Sequence, residues 1–238
     1  MTYVLIHGAG DVAWYWHLVA AELGELGHEV VAVDLPCDDE SAGWSDYADT
    51  VVAAIGERAQ LVVVAQSLGG FTAPLVCTRK PAELLVLVAG MVPAPGESAN
   101  DYWANTGYKQ VSRDVDTSDT IATFYQDVPR DLAKEAIKRS RQQAKAIGAE
   151  PWPLQAWPNV PVKFLLCRDD HLFPADWLRK VVRDRLGIEP DEIDSGHCPA
   201  LAHPKELANR LEAFRIESVR RPEILGKRHS RGSEVPDG

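Results

Sequence analysis

"VVVAQSLGGFTAPL", residues 62–75, passes from an unbroken apolar run into a serine flanked by small residues. Ala65 stands two before Ser67, Gly69 two after it, and Gly70 next. The valine run reads as a strand buried on both faces, as in a parallel sheet covered by helices, and a helix is expected to follow it. A serine at such a junction has a simple use, capping the next helix with its hydroxyl. That use needs no small neighbours. A sharp strand-to-helix reversal does need them, because the two backbones pass close together while the serine is pushed outward. The pattern is that of the nucleophile elbow, G-x-S-x-G, with Ala65 in place of the first glycine.

The same kind of apolar run recurs on both sides of the elbow. Val4–Ile6, Val30–Val33, Leu61–Ala65, Leu84–Ala89 and Val162–Cys167 do not alternate with polar residues, and a weaker run at Glu192–Asp194 reads as an edge strand. Helical spacing lies between them. Trp16, Val19, Leu23 and Leu26 precede Gly27; Trp177, Leu178, Val181, Val182 and Leu186 lie between Pro174 and Gly187; Leu207, Leu211 and Phe214 follow Pro204. Proline at the first turn and glycine past the end match the asymmetry of helix termini. Strands alternating with helices predict an α/β fold, with a mostly parallel central sheet covered by helices on both faces.

The alternation breaks over residues 91–160, where helices are expected around Ser118–Gln126 and Arg130–Ala146. An insertion of this size before the penultimate core strand reads as a small helical cap on a core formed by residues 1–90 and 161–219. Its aromatics, among them Tyr102, Trp103, Tyr108, Phe124, Tyr125, Trp152 and Trp157, are expected mainly to pack the cap onto the core. Residues 220–238 lose their periodicity and read as a flexible tail.

A serine hydroxyl is a weak nucleophile and needs a base within hydrogen-bond reach, itself oriented by an acid. On this architecture the expected order is serine, then carboxylate, then histidine. "LLCRDDHLFP" sets Asp169 and Asp170 just past a strand, and "DSGHCPALAHP" sets His197 after the last weak strand and before the final helix. Open α/β sheets build their sites at such strand ends. An Asp-Asp pair is more often a solvated turn, and a lone loop histidine is more often unremarkable; His203 and His229 are read that way. Three groups in the right order, each after the right strand, outweigh those separate readings. "LIHGAG", residues 5–10, follows the first strand. Its small turn lets the backbone approach a substrate, so Ala9 and Leu68 would offer N–H groups to a developing oxyanion, with His7 bracing the turn.

Composition bounds the rest. The 238 residues carry a formal charge of −10, which disfavours a nucleic-acid partner. Cys37, Cys77, Cys167 and Cys198 are far apart and read as reduced thiols rather than a disulfide or zinc framework. The amino terminus enters a strand at once, and no run approaches the roughly 18 apolar residues of a membrane span. A cytoplasmic protein with no membrane partner, no cofactor and no metal is expected.

Together these residues resemble the α/β-hydrolase superfamily over nearly all of residues 1–219. "VLIHGAGDVAWYWHLVAAEL" resembles the amino-terminal signature of its small-ester branch, which contains plant methylesterases and hydroxynitrile lyases. The resemblance implies Ser67 as nucleophile and His197 as base. It implies Asp170 as the acid, because the family's aspartate stands four before a proline, here Pro174, and it matches Ala9 and Leu68 to the oxyanion positions. The lyases of the branch carry a lysine after the histidine and a threonine after the first histidine of the amino-terminal motif. Cys198 and Gly8 stand there instead. Hydrolysis of a small-molecule ester through an acyl-enzyme is therefore expected ahead of cyanohydrin cleavage, with carbon–carbon bond hydrolysis and peracid formation on the same triad as further alternatives. A low-turnover small-ligand receptor of this fold is the alternative outside catalysis.

Overall fold

The computed structural model describes residues 1–112 and 118–228, with 220–228 as backbone alone. Each apolar run became a strand: β1 (Thr2–Ile6), β2 (Glu29–Val33), β3 (Leu61–Gln66), β4 (Ala82–Val88), β5 (Val162–Cys167) and β6 (Asp191–Ile193). They form one sheet in the order β2-β1-β3-β4-β5-β6, with every neighbouring pair parallel. The residues of β1 and β3 are fully buried, which is why they read as continuous apolar runs. The edge strand β2 is only half covered.

Three helices connect the first strands and one follows each of them: α1 (His17–Glu25), α2 (Trp44–Ile55) and α3 (Gly69–Arg79). The chain moves from β1 outward to β2, then doubles back past β1 to β3 and onward. With right-handed crossovers that reversal sends α1 to one face and α2 and α3 to the other. α2 packs against α3 accordingly. The loops after β1 and β3 diverge at this reversal, and the crevice between them is where open α/β sheets hold ligands. Ala9 and Ser67 lie on those two loops.

The β4–β5 connection carries short helices, α4 (Ala99–Asn105), α5 (Tyr108–Val111), α6 (Thr120–Phe124), α7 (Arg130–Arg139) and α8 (Ala146–Ala149). Tyr102 and Trp152 are buried, and the Trp152 indole N–H donates to the Phe71 carbonyl at 2.9 Å, fastening the insertion to α3. The helix expected over Arg130–Ala146 stops at Arg139. Beyond it the backbone bonds elsewhere: Arg141 N–H donates to Gly10 O at 2.7 Å and Ala144 N–H to Cys37 O at 2.6 Å. Those long-range bonds replace the i→i−4 ladder.

After β5 come α9 (Ala175–Leu186), α10 (Pro199–Ala202) and α11 (Pro204–Arg228), and α11 packs on α1. The expected tail begins at residue 220, whereas helix continues through 228; residues 229–238, including His229, lie outside the described residues. No helix among the described residues is long and apolar enough to cross a membrane.

Candidate active site

Ser67 sits on the sharp turn between β3 and α3 with φ of 50°, a left-handed conformation that a non-glycine residue adopts only under constraint. The constraint is visible in its backbone. Ser67 N–H donates to Val88 O at 3.3 Å, and its carbonyl accepts from Met91 N–H at 2.9 Å and Gly70 N–H at 3.1 Å. The small neighbours have matching reasons. A Cβ on Gly69 would lie 2.8 Å from the His7 carbonyl oxygen at the end of β1, and one on Gly70 would run into the Met91 carbonyl. Helix α3 passes that close to two other segments of backbone. The helix cap is Leu68, without a side-chain hydrogen bond, so the serine hydroxyl does not serve as a cap.

Asp170 and His197 meet. His197 Nδ1 lies 2.7 Å from Asp170 Oδ2, and both residues are buried. The second carboxylate oxygen accepts Leu172 N–H at 2.8 Å and Phe173 N–H at 3.0 Å. A carboxylate so placed accepts, so in the neutral imidazole the proton of His197 sits on Nδ1 and Nε2 keeps its lone pair. Asp169 is exposed, and its backbone rather than its carboxylate is engaged, through N–H to Ser195 O at 3.1 Å. The pair that only the family resemblance separates in the sequence is thus unequal in space.

The imidazole stands against the rings of Phe124 and Phe173, each edge to face, with centroids 5.6 and 5.0 Å away. Those two rings line a cavity of about 520 Å³ together with Ser67, Leu68 and Ala9. Trp44 and Trp103 add to its apolar wall, and Asn100 and Lys145 are among its few polar residues. The cap aromatics therefore divide: Tyr102 and Trp152 pack, while Trp103 and Phe124 face the cavity. Ser67 Oγ has no hydrogen-bond partner among the described residues. Such bonds are often long or misaligned in unliganded sites and tighten when substrate binds.

The turn after β1 is braced by His7, which is fully buried. Leu35 N–H donates to its Nε2 at 3.0 Å, so the proton sits on Nδ1 and goes to Gly8 O at 2.8 Å. Burial pushes this histidine down to about 4, which keeps it neutral. In a trans peptide the carbonyl and the next N–H point opposite ways. Holding Gly8 O behind therefore aims the Ala9 N–H away from His7. Neither the Ala9 nor the Leu68 N–H has an internal partner among the described residues.

Two supports could not be read from the sequence. Gln126 Nε2 donates to Asp169 O at 2.6 Å, and Asp127 Oδ2 accepts from Ser195 Oγ at 2.8 Å and Gly196 N–H at 2.7 Å. One turn of the insertion thus grips both the loop carrying Asp170 and the loop carrying His197. A Gln-Asp dipeptide carries no signal of that use. Beside His197, burial holds the Cys198 thiol well above its usual range, so it stays neutral. Among the described residues no group of three His, Cys, Asp or Glu could hold a metal ion.

Residues 3–210 match the alpha/beta hydrolase family. The chain is 25% identical to methylesterase 7 of Arabidopsis thaliana over 244 residues, covering 88% of this chain and 94% of the relative. It is 23% identical to norfluorocurarine synthase 1 of a Strychnos species over 250 residues, covering 88% and 93%. Among solved structures, an extracellular alpha/beta-hydrolase from a Paenibacillus species superposes with a TM-score of 0.74 at 20% identity, over 90% of this chain and 98% of that one.

Proposed function

The chain belongs to the alpha/beta hydrolase family, and on that premise we propose that it is a serine carboxylesterase acting on a small, uncharged ester. The observation that carries the reading is the hydrogen bond from His197 Nδ1 to Asp170 Oδ2 at 2.7 Å. It leaves Nε2 as the basic nitrogen of an imidazole packed on the rings that line the cavity with Ser67.

In this reading Ser67 Oγ attacks the ester carbonyl while His197 Nε2 takes its proton. Asp170 holds the imidazole in the productive tautomer and stabilises the imidazolium that forms. The carbonyl oxygen becomes an oxyanion and is met by the N–H groups of Ala9 and Leu68, a pair in which one donor is typically worth about 100–1000-fold in rate. His197 then protonates the leaving alcohol. A water enters, gives a proton to Nε2 and attacks the acyl-enzyme; the acid departs and Ser67 is restored. The mostly apolar cavity favours an uncharged acyl group and a small alcohol, and the similarity to a methylesterase supports methyl esters as the first substrates to try.

A neutral Cys198 where the lyases of the branch carry an ammonium supports hydrolysis over cyanohydrin cleavage. A panel of methyl, short-chain, aryl and lactone esters, run beside mandelonitrile, tests the reading. Ester turnover lost in Ser67→Ala is expected; turnover of mandelonitrile alone contradicts it.

A further inference from the structure

The loop bearing Ala9 is held from two sides, and only one of them belongs to the sheet. Upstream, His7 fixes the Gly8 carbonyl. Downstream, the holding groups come from the insertion, more than 130 residues along the chain. Gly10 N–H donates to Gln143 Oε1 at 3.1 Å, and the Gly10 carbonyl accepts Arg141 N–H at 2.7 Å. The packing is close enough that a Cβ on Gly10 would lie 2.6 Å from the Arg141 carbonyl oxygen.

Gln143 is itself fixed. Its Nε2 donates to Tyr47 Oη at 3.0 Å and to Cys37 O at 3.3 Å. A carbonyl oxygen can only accept, so the amide must present its oxygen, not its nitrogen, to Gly10 N–H. The Arg141 guanidinium adds bonds to Leu35 O at 2.7 Å and Asp11 O at 3.3 Å, binding the strap to the loops after β1 and β2. Ala9 is thus caught between two peptide planes, one set by His7 and the other by Gln143. A donor must lie within a few tenths of an ångström of the developing oxyanion to stabilise it fully. The Ala9 N–H lies in the first plane, and the second plane anchors the Ala9 Cα from its other side, so loosening the second plane lets that Cα shift and carries the Ala9 N–H with it.

We infer that Gln143 is a positioning residue for the oxyanion hole, through which the insertion sets the orientation of the Ala9 N–H. The inference rests on the reading of Ser67 as nucleophile and Ala9 as oxyanion donor. It makes residues 141–143 a working part of the site.

The test uses Gln143→Met, which keeps the side-chain length and removes the acceptor, and Tyr47→Phe, which leaves Gln143 in place and removes one group that orients it. Steady-state kinetics on the best ester of the panel are paired with inhibition by a trifluoromethyl ketone, whose serine adduct carries an oxyanion. For Gln143→Met, kcat falls about 10- to 100-fold with KM within about twofold, and the ketone weakens by a similar factor. Tyr47→Phe moves both readouts the same way by less, and carries the test if Gln143→Met does not fold. Unchanged kcat, or a loss of activity without weaker ketone binding, overturns the inference in favour of a merely structural strap. Fluorophosphonate labelling of the unmodified chain separates the two levels: without labelling at Ser67 the underlying reading fails, whereas labelling beside unchanged variants defeats the strap alone.

Discussion

The side-chain amide of Gln66 donates to the backbone carbonyl of His197 at 3.1 Å, joining the residue before Ser67 to the loop that carries His197. Gln66 is buried, and its Oε1 occupies the space beside Gly8 where a Cβ would stand. One side chain therefore touches the serine turn, the histidine loop and the turn after β1. Gln66→Leu removes the donor and leaves a buried carbonyl unpaired, a loss of about 1–3 kcal/mol in stability. Ester turnover is expected to fall about tenfold as the histidine loop loosens. Urea denaturation and kcat measured on the same preparation check both parts; unchanged turnover with full stability contradicts them.

The adjacent carboxylates are expected to behave as strangers. With Leu172 and Phe173 N–H groups fixing one oxygen of residue 170, an asparagine there must turn its NH2 toward His197. Nδ1 would then accept, the proton would move to Nε2, and the base would be lost. Asp170→Asn should lower kcat by roughly 10⁴. Asp169→Asn, at an exposed carboxylate, should stay within about twofold of the parent. Equal losses, or a larger one in Asp169→Asn, contradict the assignment.

Buried His7 and half-buried Asp11, near the turn after β1, pull stability in opposite directions with pH. Burial lowers His7 from 6.5 to about 4, so the unfolded chain takes up that proton first. Its contribution is present above pH 6.5 and is lost as the pH falls toward 4, roughly 3 kcal/mol at full extent. Burial raises Asp11 from 3.8 to about 6, so its contribution is present below pH 3.8 and lost as the pH rises through 6. The two windows overlap and largely cancel. Asp11→Asn removes one of them, so its Tm should climb about 5–10 °C more steeply than the parent's between pH 4 and 6.5. Parallel Tm curves for the two proteins contradict this.

What the sequence makes legible is what local chemistry dictates. The valine run of β3 reads correctly because a strand covered on both faces has no polar alternation, and the turn at Ser67 reads because Gly69 and Gly70 have no room for a side chain. The end of α7 at Arg139 does not read. Residues 140–146 keep a helix-compatible composition, and the partners that draw them away, Gly10 and Cys37, are more than 100 positions distant. Gln66, Gln126, Asp127 and Gln143 escape notice for the same reason. A polar side chain looks alike in sequence whether it faces water or a buried carbonyl. Asp169 and Asp170 are separable in the chain only through resemblance, whereas one hydrogen bond to His197 separates them in space.

The proposed hydrolysis requires Ser67 as the nucleophile, activated by His197. Mass spectrometry of the protein after reaction with a fluorophosphonate, followed by peptide mapping, tests it most directly. A single adduct on Ser67 is expected, absent in Ser67→Ala and formed far more slowly in His197→Ala. An adduct that maps to another residue, or that persists in Ser67→Ala, would contradict that requirement.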